Sequence, residues 1–333
     1  MIRMGVIGYG YWGPNVTRNF FGAPECTVAA VCDARPEMLR RAQQAFPAIS
    51  VTRDADDILC APDIDAVAVV TPVWTHFELA KAALENGKHV FVEKPFTSTV
   101  AQAEQLIELA ARNRLQIMVD HTFLFTGAVK KIRQLIDEGT LGKIYYYDST
   151  RVNLGLFQHD VNVIWDLAPH DLSIMDYLIA ARPQAVTAAG QVHLNGFEDL
   201  AYLTIYCSDS MIAHINVNWL SPVKVRMTMI GGQKKMVLWN DLEADEKVRV
   251  YDKGVDVKNG DNVHALLVSY RSGDMWAPKV EPTEALAAEA RYFIACVEKS
   301  ETPFNDGMAG LRVVRLLEAA NRSVKAGGSP VTL

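Results

Sequence analysis

Over the first third of the chain, short uninterrupted apolar runs alternate with stretches in which apolar residues recur at helical spacing. The runs at 2–7, 27–32, 49–52, 66–70, 88–92 and 116–119 read as strands that are apolar on both faces, as when helices cover both sides of a sheet. Helices are predicted between them from their starts and stops. Pro14 sits just inside the first, Pro36 precedes 37–46, Thr75 can cap 77–86, and Ser98 or Thr99 can cap 100–114, while Asn86-Gly87 is a stop signal. Strands that alternate with helices pair in parallel, because each return to the sheet in the same direction needs a crossover. About six such units end near Asp120.

The pattern then changes. After helical stretches at 126–138 and 166–180, strands follow strands, at 144–152, 184–194, 200–207, 211–219, 224–230, 234–239 and 247–251. Asn195-Gly196, Ser208-Asp209-Ser210, Ser221-Pro222 and Gly231-Gly232 separate them as turns, which predicts an antiparallel meander. Residues 253–282, with Gly254, Asn259-Gly260, Gly273, Pro278 and Pro282, read as a long irregular excursion, and helices at 283–299 and 307–325 close the chain. The expected architecture is a doubly wound α/β domain over 1–120, followed over 121–333 by an α+β domain with a large open, mainly antiparallel sheet for substrate binding and oligomerisation. So many strands with few covering helices leave one sheet face to bury, so a homodimer or homotetramer is expected.

Composition narrows the function classes. Of 333 residues, 33 are basic and 39 acidic, a net charge of −6 without a polybasic block, so neither nucleic acid nor an anionic membrane is an expected partner. No apolar run approaches the ~20 residues of a membrane span, and the apolar start meets Gly8 too early for a signal-peptide core. Cys26, Cys32, Cys60, Cys207 and Cys296 are scattered without a C-x-x-C pair, which argues against a zinc site or disulfide framework and for a reducing, cytoplasmic location. No metal is expected.

Gly8-Tyr9-Gly10-Tyr11-Trp12-Gly13 matches G-x-G-x-x-G directly after an apolar strand and just before Pro14. In that context the first glycine makes the tight turn, the second lets the backbone approach a pyrophosphate, and the third lets helix and strand pack closely. The helix N-terminus then offers N–H groups and positive dipole to the anion. Gly8, Gly10, Tyr11, Trp12 and Gly13 are therefore candidate cofactor-binding residues. Asp33, 20 residues beyond Gly13, ends the second strand where an acid can bond the adenosine ribose hydroxyls. Its charge favours NAD over NADP, and the nearby Arg35 softens that preference.

Three further elements make a resemblance specific: Thr71-Pro72-Val73-Trp74-Thr75-His76 after the fourth strand, Glu93-Lys94-Pro95 after the fifth, and Asp166-Leu167-Ala168-Pro169-His170 in the second domain. With the glycine loop, they make nearly the whole chain similar to the glucose-fructose oxidoreductase/inositol dehydrogenase (Gfo/Idh/MocA) family, and the first domain is then a Rossmann domain. The resemblance implies that Lys94 meets both the nicotinamide ribose and the reacting hydroxyl, with Glu93 beside it on the cofactor. It implies that Thr71, Pro72 and His76 lie against the nicotinamide half. Asp166 is then a substrate-binding acid and His170 the acid/base. The opening G-Y-G-Y-W-G-P-N and the W-D-L-A-P-H-D segment are similar to the branch associated with nucleotide-sugar and surface-polysaccharide pathways. That implies hydride transfer at C3 of a UDP-N-acetylhexosamine or its uronic acid. Residues 157–165 lack the glycine-rich run of many relatives.

The chemistry of the residues agrees. Oxidising a secondary alcohol requires loss of hydride and of the hydroxyl proton. A lysine ammonium stabilises the developing alkoxide and a histidine takes the proton. Asp166 and His170, four apart at a helix start, share one face, so the carboxylate can orient the imidazole. Lys94 and His170 are expected to face each other across the cleft between domains. Arg151 and Asn153, at a strand end upstream, can reach a polar substrate. His159, His193, His214 and His264 read as structural or surface residues. Two other functions share these motifs: an NAD-retaining, redox-assisted glycosidase or lyase, and a non-catalytic NAD-binding sensor. Net NADH formation separates the dehydrogenase from both.

Overall fold

The six apolar runs become β1 (Ile2–Ile7), β2 (Cys26–Cys32), β3 (Ser50–Thr52), β4 (Ala66–Val69), β5 (His89–Glu93) and β6 (Ile117–Asp120) in a computed structural model that describes residues 1–155, 157–259 and 266–333. They form one parallel sheet in the order β3-β2-β1-β4-β5-β6. β1 pairs with both β2 and β4, so the strand order reverses around it, and the crevice outside the carboxyl ends at such a reversal is where open α/β sheets take ligands. The covering helices are α1 (Gly13–Phe21), α2 (Pro36–Ala45), α3 (Asp56–Leu59), α4 (Val73–Glu85) and α5 (Val100–Asn113). Thr99 caps α5, its hydroxyl accepting the Gln102 N–H at 3.2 Å. Thr75 does not cap α4, because that helix starts earlier, after Pro72. The Thr75 hydroxyl donates back to the Pro72 carbonyl at 2.8 Å.

After a 3-10 turn at Thr122–Phe125 come α6 (Gly127–Asp137), β7 (Ile144–Leu154), α7 (Val163–Leu178), β8 (Pro183–Gln191), β9 (Leu200–Cys207), β10 (Ile212–Asn218), β11 (Leu220–Gly232), β12 (Met236–Asn240), β13 (Val248–Asn259) and β14 (Leu266–Trp276). α8 (Ala285–Lys299), α9 (Gly307–Lys325) and β15 (Val331–Thr332) end the chain. The second sheet has the order β14-β13-β12-β11-β7-β10-β9-β8-β15, antiparallel except where β10 runs parallel to β7. It is thus two meanders on either side of β7 rather than one. Between β10 and β11 the chain passes over the end of β7 at Trp219, with Asn218 opposite Val152 on one side and Leu220 opposite Leu154 on the other.

Two expectations are corrected here. Much of 253–282 is not irregular: β13 and β14 pair as an antiparallel ladder from Val250↔Trp276 to Asn259↔Leu266, and a register shift between Tyr251 and Lys253 absorbs the glycine-containing stretch. Ser221-Pro222 is not a turn between strands but lies within β11, where the pairing shifts between Leu220 and Val225. The predicted turn glycine Gly260 and His264 lie outside the described residues.

The chain divides into two compact units, Met1–Phe125 with Thr283–Glu318, and Thr126–Pro282 with Ala319–Leu333. A single cut at 120 does not reproduce this division. α8 and most of α9 return to the first unit because their apolar faces cover its sheet, as the Phe293 ring does edge-on against Phe20 and Phe91. Among the described residues no helix is long and apolar enough to cross a membrane.

Candidate active site

In the first unit, the predicted cofactor residues gather at the carboxyl ends of β1, β2, β4 and β5. Gly8 has φ +103°, and a Cβ there would lie 2.2 Å from the Val70 carbonyl oxygen, so the turn out of β1 requires glycine. A Cβ on Gly13 would lie 2.4 Å from the Gly8 carbonyl oxygen, which explains the third glycine by packing. Gly10 differs: a Cβ there meets only the Arg35 guanidinium at 3.3 Å. Its backbone borders open space, which is room for a ligand to approach. Trp12 is the N-cap of α1 and contributes no capping side chain, so the first-turn N–H groups are not consumed by a side-chain cap. Tyr11 is exposed. Together these features fit a dinucleotide whose pyrophosphate lies on Gly10 and the start of α1.

Asp33 ends this crevice on the β2 side. It is buried, and its carboxylate accepts hydrogen bonds from the Tyr9 backbone N–H at 2.8 Å, the Arg35 N–H at 2.9 Å and the Arg35 guanidinium at 3.1 and 3.2 Å. Burial pushes the carboxyl pKa up, but the bonds from Arg35 and Tyr9 outweigh it and hold the group below its ordinary value. Asp33 is therefore charged and already oriented, with Arg35 folded onto it rather than extended toward a 2′-phosphate.

His76 is placed otherwise than expected. It is fully buried, with Nδ1 2.9 Å from the Pro95 carbonyl and Nε2 2.7 Å from the Thr71 carbonyl. Burial pushes its pKa down, against the upward pull of the carbonyls it faces. Both ring nitrogens face the protein, which leaves neither for a ligand. His76 ties the loop after β4 to the turn after β5. Thr71 is half-buried and Pro72 exposed at the start of α4. Glu93 and Lys94 are half-buried at the end of β5, followed by a cis bond to Pro95.

In the second unit, Asp166 and His170 lie one turn apart on α7, both half-buried. Asn162, not Asp166, caps the helix: its side chain accepts the Trp165 N–H at 3.1 Å, so Asp166 sits in the first turn, where the helix dipole favours a negative charge. Trp219, buried where the chain crosses β7, donates its indole N–H to Asp166 Oδ2 at 3.1 Å. Sequence reasoning missed that anchor, because Trp219 reads as the last residue of a strand.

Arg151 is not a substrate contact. It is buried and turned inward, its Nε donating to Asp171 Oδ2 at 2.7 Å and a terminal nitrogen to Oδ1 at 3.1 Å. Ser149 donates to the same Oδ1 at 2.7 Å and the Tyr147 hydroxyl to the Asp171 carbonyl at 3.2 Å. Side chains alternate along a strand, so Tyr147, Ser149 and Arg151 all present to α7 and clamp the helix that carries Asp166 and His170. Asn153 continues that face beyond Arg151 and is half-buried. His193 pairs with the buried Asp199 at 2.7 Å, and His214 lies 3.7 Å from Asp148.

Two family models match the chain. The oxidoreductase family, NAD-binding Rossmann fold, covers residues 2–121, and the GFO/IDH/MocA C-terminal domain covers residues 129–237. Among curated proteins, the chain is 27% identical over 326 residues to UDP-N-acetylglucosamine 3-dehydrogenase of Acidithiobacillus ferrooxidans, covering 94% of both chains. It is 24% identical over 335 residues to inositol 2-dehydrogenase of Rhizobium meliloti, covering 97% of both. Among solved structures, the Acidithiobacillus ferrooxidans enzyme superposes with a TM-score of 0.81 at 26% identity, over 98% of this chain and 99% of that one. The glycine loop at the strand reversal, the Glu93-Lys94-Pro95 turn and the Asp166/His170 helix thus stand in a chain that belongs to the GFO/IDH/MocA oxidoreductase family, an NAD-dependent oxidoreductase of CH–OH groups.

Proposed function

We propose that the protein transfers hydride between NAD and a ring hydroxyl of a nucleotide sugar, at C3 of a UDP-N-acetylhexosamine or its uronic acid. The observation that carries the substrate class is the end-to-end similarity to a UDP-N-acetylglucosamine 3-dehydrogenase in both sequence and fold. The half-buried Asn153, on the α7 face of β7, offers a polar group to such a substrate.

NAD, held by Gly8, Gly10, Trp12, Gly13 and Asp33, with Thr71, Pro72, Glu93 and Lys94 toward the nicotinamide, supplies the hydride acceptor. Lys94 hydrogen-bonds the reacting hydroxyl and lowers the cost of its alkoxide. His170 takes the hydroxyl proton during oxidation and returns it during reduction, and Asp166, fixed by Trp219, binds the sugar. The chain functions as a homo-oligomer, because the sheet of the second unit exposes Tyr145, Tyr202, Tyr206, Ile212 and Met229.

The experiment is a panel of UDP- and dTDP-sugars, free sugars and inositols with NAD, followed at the nicotinamide band. A UDP-N-acetylhexosamine or its uronic acid should give the highest kcat/KM. A free sugar or inositol turned over equally well would overturn the substrate class.

A further inference from the structure

The loop between β8 and β9 carries a histidine–aspartate pair that the proposed chemistry does not use. Asp199 is fully buried, and among the described residues its carboxylate accepts only from His193: the backbone N–H at 2.8 Å on Oδ2 and the ring Nδ1 at 2.7 Å on Oδ1. The His193 side chain is 48% exposed. An ionised carboxylate only accepts, so Nδ1 carries a hydrogen and the ring is held with Nε2 on its open side. Among the described residues no group hydrogen-bonds Nε2.

The pair stands at the end of the second unit where α7 begins. The Asn195 amide donates to the Gln158 carbonyl at 2.7 Å, the Val163 N–H to the Glu198 carbonyl at 2.9 Å, and the Asn162 amide to the Glu198 carboxylate at 2.9 Å. These bonds tie the loop to the segment that leads into α7. Trp219 then joins the pair to Asp166: its backbone N–H donates to the Asp199 carbonyl at 2.9 Å and its indole N–H to Asp166 Oδ2 at 3.1 Å. An imidazole fixed on one side by a buried carboxylate and open on the other therefore shares its mount with Asp166.

Closing the loop needs only donors to Asp199, whereas a ring whose second nitrogen stays open is ready to meet a ligand. With hydrogens on both nitrogens, the ring donates once to Asp199 and once outward, and the buried carboxylate is its counter-charge. The order of charges, negative inside and positive at the ring, suits an anionic oxygen at Nε2. We propose that His193 is a substrate-binding residue whose Nε2–H donates to an anionic oxygen of the substrate, and that Asp199 is the residue that positions it. The proposal rests on the reading that the substrate is a nucleotide sugar. With the sugar on Asp166, the diphosphate on its anomeric carbon leads away from the reacting ring toward solvent, where the His193 ring is exposed. A uronic acid carboxylate offers the same kind of oxygen, and the test separates the two sources.

The test uses the full chain with NAD bound, as wild type, His193→Phe, His193→Gln and Asp199→Asn. KM and kcat are measured for UDP-N-acetylglucosamine, its uronic acid and free N-acetylglucosamine, and UDP binding is measured by calorimetry. His193→Phe keeps a ring and removes the outward donor. It should raise KM for UDP-N-acetylglucosamine about tenfold with kcat within about twofold, as for loss of one charge-assisted bond that does not touch the reacting atoms. UDP should weaken by a similar factor, while free N-acetylglucosamine changes by less than about twofold. His193→Gln keeps a neutral donor and should recover part of the loss. Asp199→Asn removes the counter-charge and should raise the same KM, and if it does not fold, the two substitutions at the exposed His193 carry the test. A loss confined to the uronic acid, with UDP spared, would place the oxygen on the sugar carboxylate. An unchanged KM for both nucleotide sugars in His193→Phe, or equal losses for nucleotide sugars and the free sugar, would overturn the proposal in favour of a purely structural tie. A wild type that turns over the free sugar as well as the nucleotide sugars would refute the substrate reading before any variant is compared, and UDP calorimetry, which needs no turnover, would still report on His193.

Discussion

We propose that Asp33 and Arg35 set cofactor choice as a pair. The carboxylate repels a 2′-phosphate and also holds the guanidinium that would welcome one. Asp33→Asn keeps an acceptor for the Tyr9 N–H while removing the charge and loosening Arg35, so the NAD/NADP affinity ratio should fall by about tenfold, the scale of one charge-assisted bond. Parallel titrations with the two cofactors check this, and an unchanged ratio would remove Asp33 from selectivity. Gly8 and Gly13 were legible in the sequence because backbone geometry and close packing demand glycine there, and Gly10 and Asp33 because of their spacing in the motif. The role of His76 was not: a motif histidine that touches a ligand and one that ties two loops share the same spacing. Only the carbonyls at both ring nitrogens separate them.

At the scale of elements, α7 carries Asp166 and His170, the residues we propose bind the sugar and move the proton. Its seat on β7 is the buried Arg151–Asp171 pair, in which burial opposes the charge of Arg151 and Asp171 overrides it, raising its pKa. Arg151→Met should destabilise the protein by about 3–5 kcal/mol, because it strands the Asp171 carboxylate, whereas Arg151→Met combined with Asp171→Leu should recover most of that loss. Urea unfolding of the single and double variants tests it, and additive losses would show that the two groups do not act as a pair. The sequence placed Arg151 correctly at the end of a strand but not its direction. Reading that direction needs the register of β7 against α7, a contact 20 residues apart in the chain. Strand boundaries in the 253–282 region failed for a similar reason: glycines there read as breaks, whereas ladder pairing with a distant strand absorbs them. Trp219 likewise acquires its role only from the crossing over β7.

At the scale of the whole molecule, the parallel pairing of the first sheet followed from strand–helix alternation, but the return of Thr283–Glu318 to the first unit did not. Amphipathic helices carry no label for the sheet they will cover. The second sheet alternates buried Ala201, Leu203 and Ile205 with exposed Tyr202 and Tyr206 along β9, and buried Ala213, Ile215 and Val217 line the same inner side along β10. An aromatic face of that kind is best covered by a second copy. Light scattering at micromolar concentration should give a dimer or tetramer, and Tyr206→Lys with Ile212→Lys, opposite each other in the ladder, should shift it toward monomer. A monomeric wild type would contradict the assembly.

The central claim is that Lys94 acts directly on the reacting hydroxyl of a sugar while NAD accepts the hydride. Single-turnover formation of NADH from UDP-N-acetylglucosamine, compared between wild type and Lys94→Met at saturating NAD, tests it most directly. Wild type should form one NADH per active site. Lys94→Met should bind NAD within a few-fold of wild type but form NADH ~10²–10⁴ times more slowly, as for loss of a positioned acid–base group. NADH formation by Lys94→Met at the wild-type rate would contradict the account.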